Sequence, residues 1–448
     1  MFQFKKKKIK GIDWVDKFIK NIRPYVFVRL EDNILIKQPN QATQINATAA
    51  KIMKFLLDGG TTAELLEKTG TDKAEEIENF VFAVKKYLEN KLDEYSLNPA
   101  VKKETFSLNF SKLPVLSELA LTYKCNLTCR FCYAGCNCTV NPTGSNDELS
   151  IEQFKDIIDT IYKEARVPSI SFTGGEPTLR KDVLMACTEY AKKLGMRVNL
   201  ITNGTLINAQ YAKDLKNAGL DSVQVSIEGV TEETHDILVA HKGAYKKSVK
   251  AVELFKKQNI YVHTNTTLNQ INAKESVLFP EFVKNVLGNE RFSMNLMIPT
   301  GSSVFNEGLI IKYSEVGNII TKIQHNSKKY DVEFMWYSPI PMCMFNTITN
   351  ELGNKGCAAC DGLISVGANG DVLPCSSYDE PVGNLQKQSF STIWNADKAK
   401  YLRNKEYAHP ICQSCDHLAV CNGACPLYWR NMGYEELEKI HRKKAIRA

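Results

Sequence analysis

Short alternations of apolar and polar residues near the start of the chain give way to apolar residues at helical spacing. The stretches YVFVRL and NILIKQ alternate on either side of Glu31 and Asp32, which predicts a β-hairpin. Helical periodicity then predicts three helices, over residues 48–58, 62–68 and 72–92. One face of the last helix is apolar, formed by Ile77, Phe80, Val81, Val84 and Leu88. A hairpin followed by three short helices predicts a small winged-helix-like module.

Beyond a linker-like stretch, LNPAVKKETF, the pattern changes to strands that alternate with helices. Six strands are predicted, over residues 115–122, 169–173, 197–202, 222–227, 261–268 and 292–298. Helix boundaries support them, because Ser150 and Gln153 can form a capping box and Gly195 and Gly219 lie where helices end. Such alternation predicts the α/β class, with a parallel sheet and functional groups at the carboxyl ends of its strands. Six units fit an open, partial (β/α)6 TIM-like barrel better than a closed barrel of eight.

The alternation stops at about Trp336, where cysteines become frequent. Eight of them follow: Cys343, Cys357, Cys360, Cys375, Cys412, Cys415, Cys421 and Cys425. Glycines are interspersed among these thiols, which indicates a small domain stabilised by metal. The predicted organisation is therefore a basic amphipathic segment (1–23), a winged-helix-like domain (24–103), a barrel core (104–335) and a cysteine-rich domain (336–448).

The overall composition is that of a globular protein. Of the 448 residues, 44% are apolar and 24% are charged. No apolar run approaches the roughly 20 residues needed to span a bilayer. The N-terminus lacks the apolar core of a secretory signal, so we expect a cytoplasmic protein. In that reducing compartment, fourteen cysteines favour metal binding over disulfides.

The formal charge of +7 is densest in MFQFKKKKIK at the N-terminus. These lysines precede apolar residues at helical spacing, namely Ile12, Val15, Phe18, Ile19 and Ile22. The pattern predicts a solvated basic end on a small packed helix. Weak contact with an anionic membrane surface or an acidic peptide is the alternative.

The chemistry of the middle domain begins with YKCNLTCRFCYAGC, which follows the first predicted strand. Cys125, Cys129 and Cys132 have CxxxCxxC spacing and lie at the end where α/β proteins bind ligands. A [4Fe–4S] cluster normally takes four thiolates, so three ligands on a tight loop leave one iron open. The trio therefore predicts an open iron–sulfur cluster site.

CxxxCxxC followed by an aromatic residue, here Tyr133, resembles the signature of the radical S-adenosylmethionine (SAM) superfamily. The resemblance implies that the open iron binds the amino and carboxylate groups of SAM. The GGEP loop after the second strand would receive the amino group, the fourth strand would lie near the ribose and the sixth near the adenine. The implied SAM contacts are Tyr133, Gly174, Gly175, Glu176, Pro177, Thr202, Asn203, Ser226, Glu228, Ile298 and Pro299.

Two features near these motifs lie outside the family pattern. Where many relatives have Arg-Gly before the next helix, this chain has Lys242 and Gly243, so a carboxylate contact there would keep its charge but lose bidentate geometry. Cys136 and Cys138 match no motif, and we expect them to be free thiols in a loop.

The C-terminal cysteines resemble the SPASM extension of peptide-modifying radical SAM enzymes. The matching pattern is Cys360-x9-Gly370-x4-Cys375, followed by Cys412-x2-Cys415-x5-Cys421-x3-Cys425. The resemblance implies two auxiliary [4Fe–4S] clusters, the first held by Cys357, Cys360, Cys375 and Cys425. Zinc is the competing interpretation, because four-cysteine zinc sites use the same CxxC spacing.

The second auxiliary cluster would take Cys412, Cys415 and Cys421. Its usual fourth ligand is a cysteine beyond Cys425, and this chain has none. Cys343 could fold back, His441 lies near the expected position, or the site could stay open for a substrate sulfur. We rank Cys343 or an open site above the histidine.

The N-terminal module resembles the RiPP recognition element, a peptide chaperone domain that binds leaders of ribosomally made, post-translationally modified peptides. In that family the leader adds a strand to an exposed sheet edge. A winged fold could instead bind DNA. The predicted helices carry many acidic residues, including Glu64, Glu67, Asp72, Glu75, Glu76 and Glu78. Phosphate neutralisation would be weak, so we expect no nucleic acid partner.

Together these resemblances imply an oxidoreductase that modifies a ribosomal peptide through a 5′-deoxyadenosyl radical, with a thioether or other crosslink as the product. The implied partners are a precursor peptide with its leader and an electron donor such as flavodoxin or ferredoxin. Alternatives are a sulfatase-type formylglycine maturase, a tetrapyrrole-modifying enzyme and, in another class, an iron–sulfur DNA-binding regulator. The leader-binding module argues against the first two, and the intact SAM motifs argue against the third.

Overall fold

The computed structural model describes residues 12–38, 41–89, 111–136 and 148–445. The N-terminal lysines and Cys138 lie outside the described residues. The chain divides into two compact units, one of Met1–Thr105 with Phe110–Val115 and one of Phe106–Asn109 with Leu116–Ala448. No helix among the described residues is long and apolar enough to cross a membrane.

The first unit contains a three-stranded antiparallel sheet and four helices. In chain order they are α1 (Asp13–Ile22), β1 (Val26–Arg29), β2 (Ile34–Lys37), β3 (Gln41–Gln44), α2 (Ala47–Leu57), α3 (Thr62–Thr69) and α4 (Ala74–Leu88). The predicted hairpin and the three helices after it are present. The polar strand β3 was not predicted, because QATQ lacks apolar alternation. Ile12, Val15 and Ile19 are buried, as expected for a packed N-terminal helix.

A buried ion pair stabilises the hairpin of the first unit. Arg29 is fully buried, and its guanidinium donates two hydrogen bonds of 2.8 Å to the carboxylate of Asp32. It also donates to the carbonyl oxygens of Leu113 (2.9 Å) and Pro114 (2.7 Å). These bonds compensate the desolvation of both charges, and they attach residues 113–114 to the hairpin turn.

The second unit is built on a ten-stranded sheet. Its barrel part comprises β4 (Leu116–Ala120), α5 (Ile151–Lys163), β5 (Ser169–Thr173), α6 (Lys181–Lys193), β6 (Arg197–Thr202), α7 (Ala209–Asn217), β7 (Ser222–Ser226), α8 (Glu232–Val239), α9 (Ala244–Lys257), β8 (Tyr261–Leu268), α10 (Phe279–Asn285), β9 (Arg291–Leu296), α11 (Tyr313–Tyr330) and β10 (Glu333–Trp336). Strands β4 to β10 are parallel neighbours in chain order. The prediction of an α/β partial barrel is confirmed, with a seventh strand, β10, in addition to the six predicted.

The cysteine-rich part extends the same sheet at its other edge. It comprises β11 (Leu363–Val366), β12 (Asp371–Leu373), β13 (Gly383–Asn384), α12 (Phe390–Trp394), α13 (Asp397–Arg403), α14 (Pro410–Gln413), α15 (Leu418–Cys421), α16 (Pro426–Met432) and α17 (Glu435–Ala445). Strand β11 pairs in parallel with β4, and β12 and β13 follow in antiparallel order. The thirteen cysteines in the described ranges form no disulfide.

The predicted helix boundaries of the second unit are also confirmed. Ser150 and Gln153 form the capping box at the start of α5. Gly195 and Gly219 have φ values of +83° and +97° directly after α6 and α7. Left-handed backbone at these positions ends each helix and turns the chain into the next strand.

Candidate functional site

The CxxxCxxC loop lies directly after β4, at the carboxyl edge of the parallel strands. Cys125 and Cys129 pack against a small apolar cluster that contains Leu127 and Val239. Burial raises the pKa of the Cys125 thiol to about 11 and that of Cys129 well above its usual value. Metals bind thiolates, so iron binding here must release these protons. The same groups interact electrostatically with Cys132, which places the three thiols in one neighbourhood.

Cys136 is part of this neighbourhood. It is buried, and its side chain hydrogen-bonds that of Cys132. This hydrogen bond lowers the pKa of the Cys132 thiol to about 6. Cys136 is thus packed against the trio.

The loop after β9 supports the cysteine loop from the other side. Ser302 N–H donates to the Cys132 carbonyl at 2.8 Å, and the Asn306 amide donates to the Arg130 carbonyl at 3.1 Å. Gly301 has φ +56°, and a Cβ there would lie 2.4 Å from the carbonyl oxygen of Tyr133. Ile298 and Pro299 therefore lead into a segment that touches the cysteine loop. Sequence reasoning missed Gly301, although the Pro-Thr-Gly turn after the sixth strand could have indicated it.

The GGEP loop docks on the backbone that precedes the first cysteine. Gly175 N–H donates to the Thr122 carbonyl and Glu176 N–H to the Lys124 carbonyl, both at 2.8 Å. A Cβ on Gly174 would lie 2.3 Å from the Thr122 oxygen, and one on Gly175 would lie 2.1 Å from the Lys124 oxygen. Only glycine permits this close approach, so the two glycines position the loop against the cluster site.

The carboxylate of Glu176 joins the loops after β5 and β6. It is buried and accepts hydrogen bonds from Thr178 N–H (3.1 Å), the hydroxyls of Thr178 (2.5 Å) and Thr202 (2.7 Å), and Asn203 N–H (2.8 Å). Burial raises the pKa of Glu176, and these hydrogen bonds act against that rise. Pro177 opens the short 3-10 turn that follows. The Glu176 side chain is thus engaged within the protein.

A chain of amides connects the cysteine loop to the loop after β6. Asn203 donates to the side-chain oxygen of Asn126 at 3.0 Å, and Asn126 donates to the Thr205 hydroxyl at 2.8 Å. Ser248 on α9 donates to the Asn203 carbonyl at 2.7 Å. Asn126 lies between the first two cysteines and was missed by sequence reasoning, since no periodic pattern distinguishes it.

Ser226 is the last residue of β7, and Glu228 lies two residues after it. The Glu228 carboxylate accepts from Thr267 N–H at 2.8 Å, while its own N–H donates to His235 Nδ1 at 3.0 Å. Burial raises the pKa of Glu228 to about 8. It also acts electrostatically on Cys129, so it faces the same site as the cysteine loop.

The two remaining predicted contacts are more exposed. Tyr133 is 38% exposed, and its side chain hydrogen-bonds Thr173 at the end of β5. Lys242 is exposed on the turn before α9 and makes no ion pair among the described residues. The structure thus brings Tyr133 to the site, whereas no contact yet defines a role for Lys242.

The four cysteines expected at the first auxiliary site are neighbours. Cys357 and Cys425 act electrostatically on the partly buried Cys375, and Cys357 acts on Cys360. Lys405, whose side chain is fully buried, donates to the Cys357 carbonyl at 2.8 Å and pairs with Asp361 at 3.1 Å.

Arg403 adds a second cation beside the first auxiliary site. Its Nε donates to the Cys360 carbonyl at 3.0 Å. These two basic residues, Arg403 and Lys405, were not predicted, and they suit a site whose thiolates carry negative charge.

The second auxiliary site groups Cys412, Cys415 and Cys421 with Cys343. Burial raises the pKa of the Cys412 thiol to about 12, with the charges of Cys421, Cys343 and Cys415 adding to the effect. Met342 N–H donates to Cys421 Sγ at 3.3 Å. His441 lies on α17.

A partly buried carboxyl group joins the first barrel strand to the cysteine-rich hairpin. Glu118 on β4 accepts a short hydrogen bond from the Ser376 hydroxyl, next to Cys375. Burial raises the pKa of Glu118. Sequence reasoning missed this residue, although a carboxyl group within the apolar stretch LSELAL was a visible signal.

The donor chemistry of the three sites fits iron–sulfur clusters. Each site collects cysteine thiols, which are the ligands of such clusters. Among the described residues, no three His, Cys, Asp or Glu side chains converge on the position of a single metal ion.

Comparisons with known proteins agree with this chemistry. Residues 119–275 match the radical SAM superfamily, and residues 357–416 match SPASM, an iron–sulfur cluster-binding domain. An AdoMet-dependent heme synthase of Methanosarcina barkeri is 29% identical over 334 residues, covering 69% of this chain and 90% of the relative. A PqqA peptide cyclase of Rhizobium meliloti is 26% identical over 324 residues, covering 70% of this chain and 82% of the relative.

Solved structures show the same fold. Streptococcus suis SuiB bound to its precursor peptide SuiA has a TM-score of 0.67 at 16% identity, covering 90% of this chain and 95% of SuiB. The AdoMet-bound anSMEcpe has a TM-score of 0.55 at 21% identity, covering 74% of this chain and 98% of that protein.

The two matched domains determine the cofactors. The radical SAM domain implies SAM and a [4Fe–4S] cluster, and the SPASM domain implies auxiliary iron–sulfur clusters. The relatives that share these domains are enzymes by name. The chain is therefore an enzyme that carries a radical SAM domain over residues 119–275 and a SPASM domain over residues 357–416.

Proposed function

We propose that this enzyme modifies a ribosomally synthesised peptide, whose leader it binds through the first unit. The observation that carries the proposal is the first unit itself, whose sheet has an edge with no described partner strand, in a chain that also has a partial barrel and SPASM cysteines. The fold of SuiB, which was solved with its precursor peptide SuiA bound, is similar to 90% of this chain. A PqqA peptide cyclase is also among the relatives by sequence.

Strand β3 offers the edge for leader binding. In the order β1-β2-β3, it pairs with β2 on one side and with no described strand on the other. An extended peptide can satisfy such an edge with main-chain hydrogen bonds, which demand little of the side chains. The four-residue strand is polar and partly exposed, so a bound leader would not displace buried apolar residues.

Side chains on the barrel strands suit an amide-rich substrate. Asn265 donates to the Asn295 side-chain oxygen at 2.7 Å, and Ser293 donates to the Asn265 oxygen at 2.8 Å. Asn265 pairs in register with Ser226, near the proposed SAM ribose position. Carboxamides and hydroxyls can both donate to and accept from peptide groups.

The residues proposed to hold the cofactors are those named from sequence. Cys125, Cys129 and Cys132 would hold the SAM-binding cluster, and residues 174–177 would border the SAM methionine group. When bound and reduced, that cluster supplies the electron that cleaves SAM to methionine and a 5′-deoxyadenosyl radical, which abstracts a hydrogen atom from the substrate. The chain's own residues position the substrate, exclude water and hold the loops together, and a thioether or other crosslink is the proposed product.

The test uses the full chain, reconstituted anaerobically, with synthetic peptides from short open reading frames adjacent to its gene. The expected result is peptide-dependent 5′-deoxyadenosine release and a mass change in the peptide, measured by liquid chromatography–mass spectrometry. Alternate residues of β3 direct their N–H groups toward β2 or away from it. In one of the two variants Ala42→Pro and Thr43→Pro, proline therefore removes only an N–H group that points away from β2. That variant should weaken leader binding while the sheet stays folded.

A tetrapyrrole substrate is the second candidate, because heme synthases are among the relatives with the highest identity. The same assay with Fe-coproporphyrin III as the probe separates the two. Decarboxylation of the porphyrin, with no effect of any peptide, would replace the proposal. An iron–sulfur regulator is disfavoured by the enzyme domain itself.

A further inference from the structure

The C-terminal segment supplies only three of the four thiols expected at the second auxiliary site. Cys412, Cys415 and Cys421 are three ligands, and no cysteine follows Cys425 in the chain. A closed four-iron cluster normally takes four thiolates. A thiolate from an earlier part of the chain would complete the set of four.

A turn that follows β10 reaches this site. Met342 N–H donates to Cys421 Sγ at 3.3 Å, so the residue before Cys343 touches one of the three thiols. The charge of Cys343 also acts on Cys412. The turn that carries Cys343 thus lies beside two of the three thiols, those of Cys412 and Cys421.

Protein contacts alone hold this turn in place. Met344 N–H and Phe345 N–H both donate to the Pro341 carbonyl, at 2.9 Å and 3.1 Å, which places Cys343 within a tight turn. The Phe345 ring packs on α11 so closely that a Cβ on Gly317 would lie 2.7 Å from it. The buried side chain of Ile340 fixes the other end of the turn. These contacts hold the turn that carries Cys343 in this position.

The histidines of the C-terminal segment make contacts other than with the thiol groups. His409 accepts from Ile411 N–H at 3.2 Å and packs against the Tyr434 ring. His417 contributes its carbonyl, which accepts from Cys421 N–H at 2.8 Å. Within the described residues, His441 has no hydrogen bond or ion pair with the four thiols. None of these rings matches the placement of Cys343.

We propose that Cys343 is the fourth thiolate ligand of the second auxiliary cluster, together with Cys412, Cys415 and Cys421. The cluster is then closed, with no iron available for a substrate sulfur, and its role is electron transfer. The metal also ties the loop after β10 to the C-terminal segment. The proposal rests on the SPASM cofactors and not on the identity of the substrate, so it can fail or hold independently of the proposed function.

The test compares iron and sulfide content and EPR spectra of the anaerobically reconstituted full chain. Wild type should hold about twelve irons, as three four-iron clusters require. Cys343→Ala and Cys343→Ser should fall toward about eight, or gain the signal of a three-iron cluster in the oxidised protein. Cys187→Ala, which alters a buried cysteine on α6, and His441→Ala should match wild type.

A second measurement tests the proposal if a Cys343 variant keeps its full iron content. With SAM saturating the first cluster, added β-mercaptoethanol should change the EPR spectrum of reduced Cys343→Ser by binding the opened iron, and should leave wild type unchanged. The proposal is overturned if Cys343→Ala and Cys343→Ser keep twelve irons and show wild-type spectra with and without the thiol. It is also overturned if His417→Ala or His441→Ala loses the cluster instead. Circular dichroism of the variants without metal establishes that they are folded.

Discussion

Gly175→Ala tests whether the GGEP loop is positioned by backbone contact with the cysteine loop. A Cβ at Gly175 would lie 2.1 Å from the Lys124 carbonyl oxygen and 2.9 Å from that of Tyr123, whereas ordinary contact begins near 3.4 Å. Both neighbours are backbone atoms and cannot rotate away. The two segments must therefore separate by about 1 Å or more, which breaks the 2.8 Å bonds from Gly175 N–H and Glu176 N–H.

The magnitude follows from these two bonds and from the displacement. Each lost hydrogen bond contributes about 1 kcal/mol, and a buried donor left unpaired costs about 1–3 kcal/mol. We expect the free energy of unfolding to fall by about 2–4 kcal/mol. A displacement of 1 Å in a positioning element can lower the rate about 100-fold, so SAM cleavage should fall by about that factor.

The assay has two parts, each with a matched control. Urea unfolding followed by circular dichroism reports stability, and 5′-deoxyadenosine formed with dithionite in the absence of substrate reports SAM cleavage. Gly308→Ala is the control, because a Cβ there meets no atom within 4 Å. It should change stability by less than about 0.5 kcal/mol. Wild-type unfolding and wild-type 5′-deoxyadenosine release in Gly175→Ala would refute the argument.

Three further predictions concern ionisable side chains. Burial raises the pKa of Glu228 from 4.5 to about 8, so its contribution to stability is fully present below pH 4.5 and is lost as pH rises through 8. Glu228→Gln should therefore flatten the decline of the urea midpoint measured from pH 5 to 8. Arg29→Gln should lower the free energy of unfolding, measured in urea, by about 3–5 kcal/mol because it leaves the buried carboxylate of Asp32 uncompensated. Lys54→Gln, at an exposed ion pair, is the control and should cost less than about 1 kcal/mol. Arg403→Gln removes a cation beside the first auxiliary site, so it should make the reduction potential of that cluster more negative in an EPR-monitored titration. Lys400→Gln, which changes an exposed residue, is the control. An unchanged potential in Arg403→Gln, or an equal shift in the control, would contradict this.

Several elements were missed for one physical reason. Strands β3 and β10 have only four residues each, and β11 gains its place by pairing with β4, more than 240 residues earlier in the chain. Short strands are stabilised mainly by their partners, so their own periodicity is a weak signal. The six longer barrel strands were found because their alternation of buried and accessible residues is visible within one segment.

The sequence by itself determined the order of strands and helices, the helix caps and the CxxxCxxC loop, because each depends on residues within a few positions of one another. Tertiary structure alone decided which distant groups meet: Gly175 with Lys124, Asn126 with Asn203, Glu118 with Ser376 and Cys343 with Cys412. These contacts depend on strand order and on how loops dock at the end of the sheet, and local periodicity carries no information about either. The residues for the chemistry can thus be read along the chain, whereas their arrangement around the site results from the packing of the barrel.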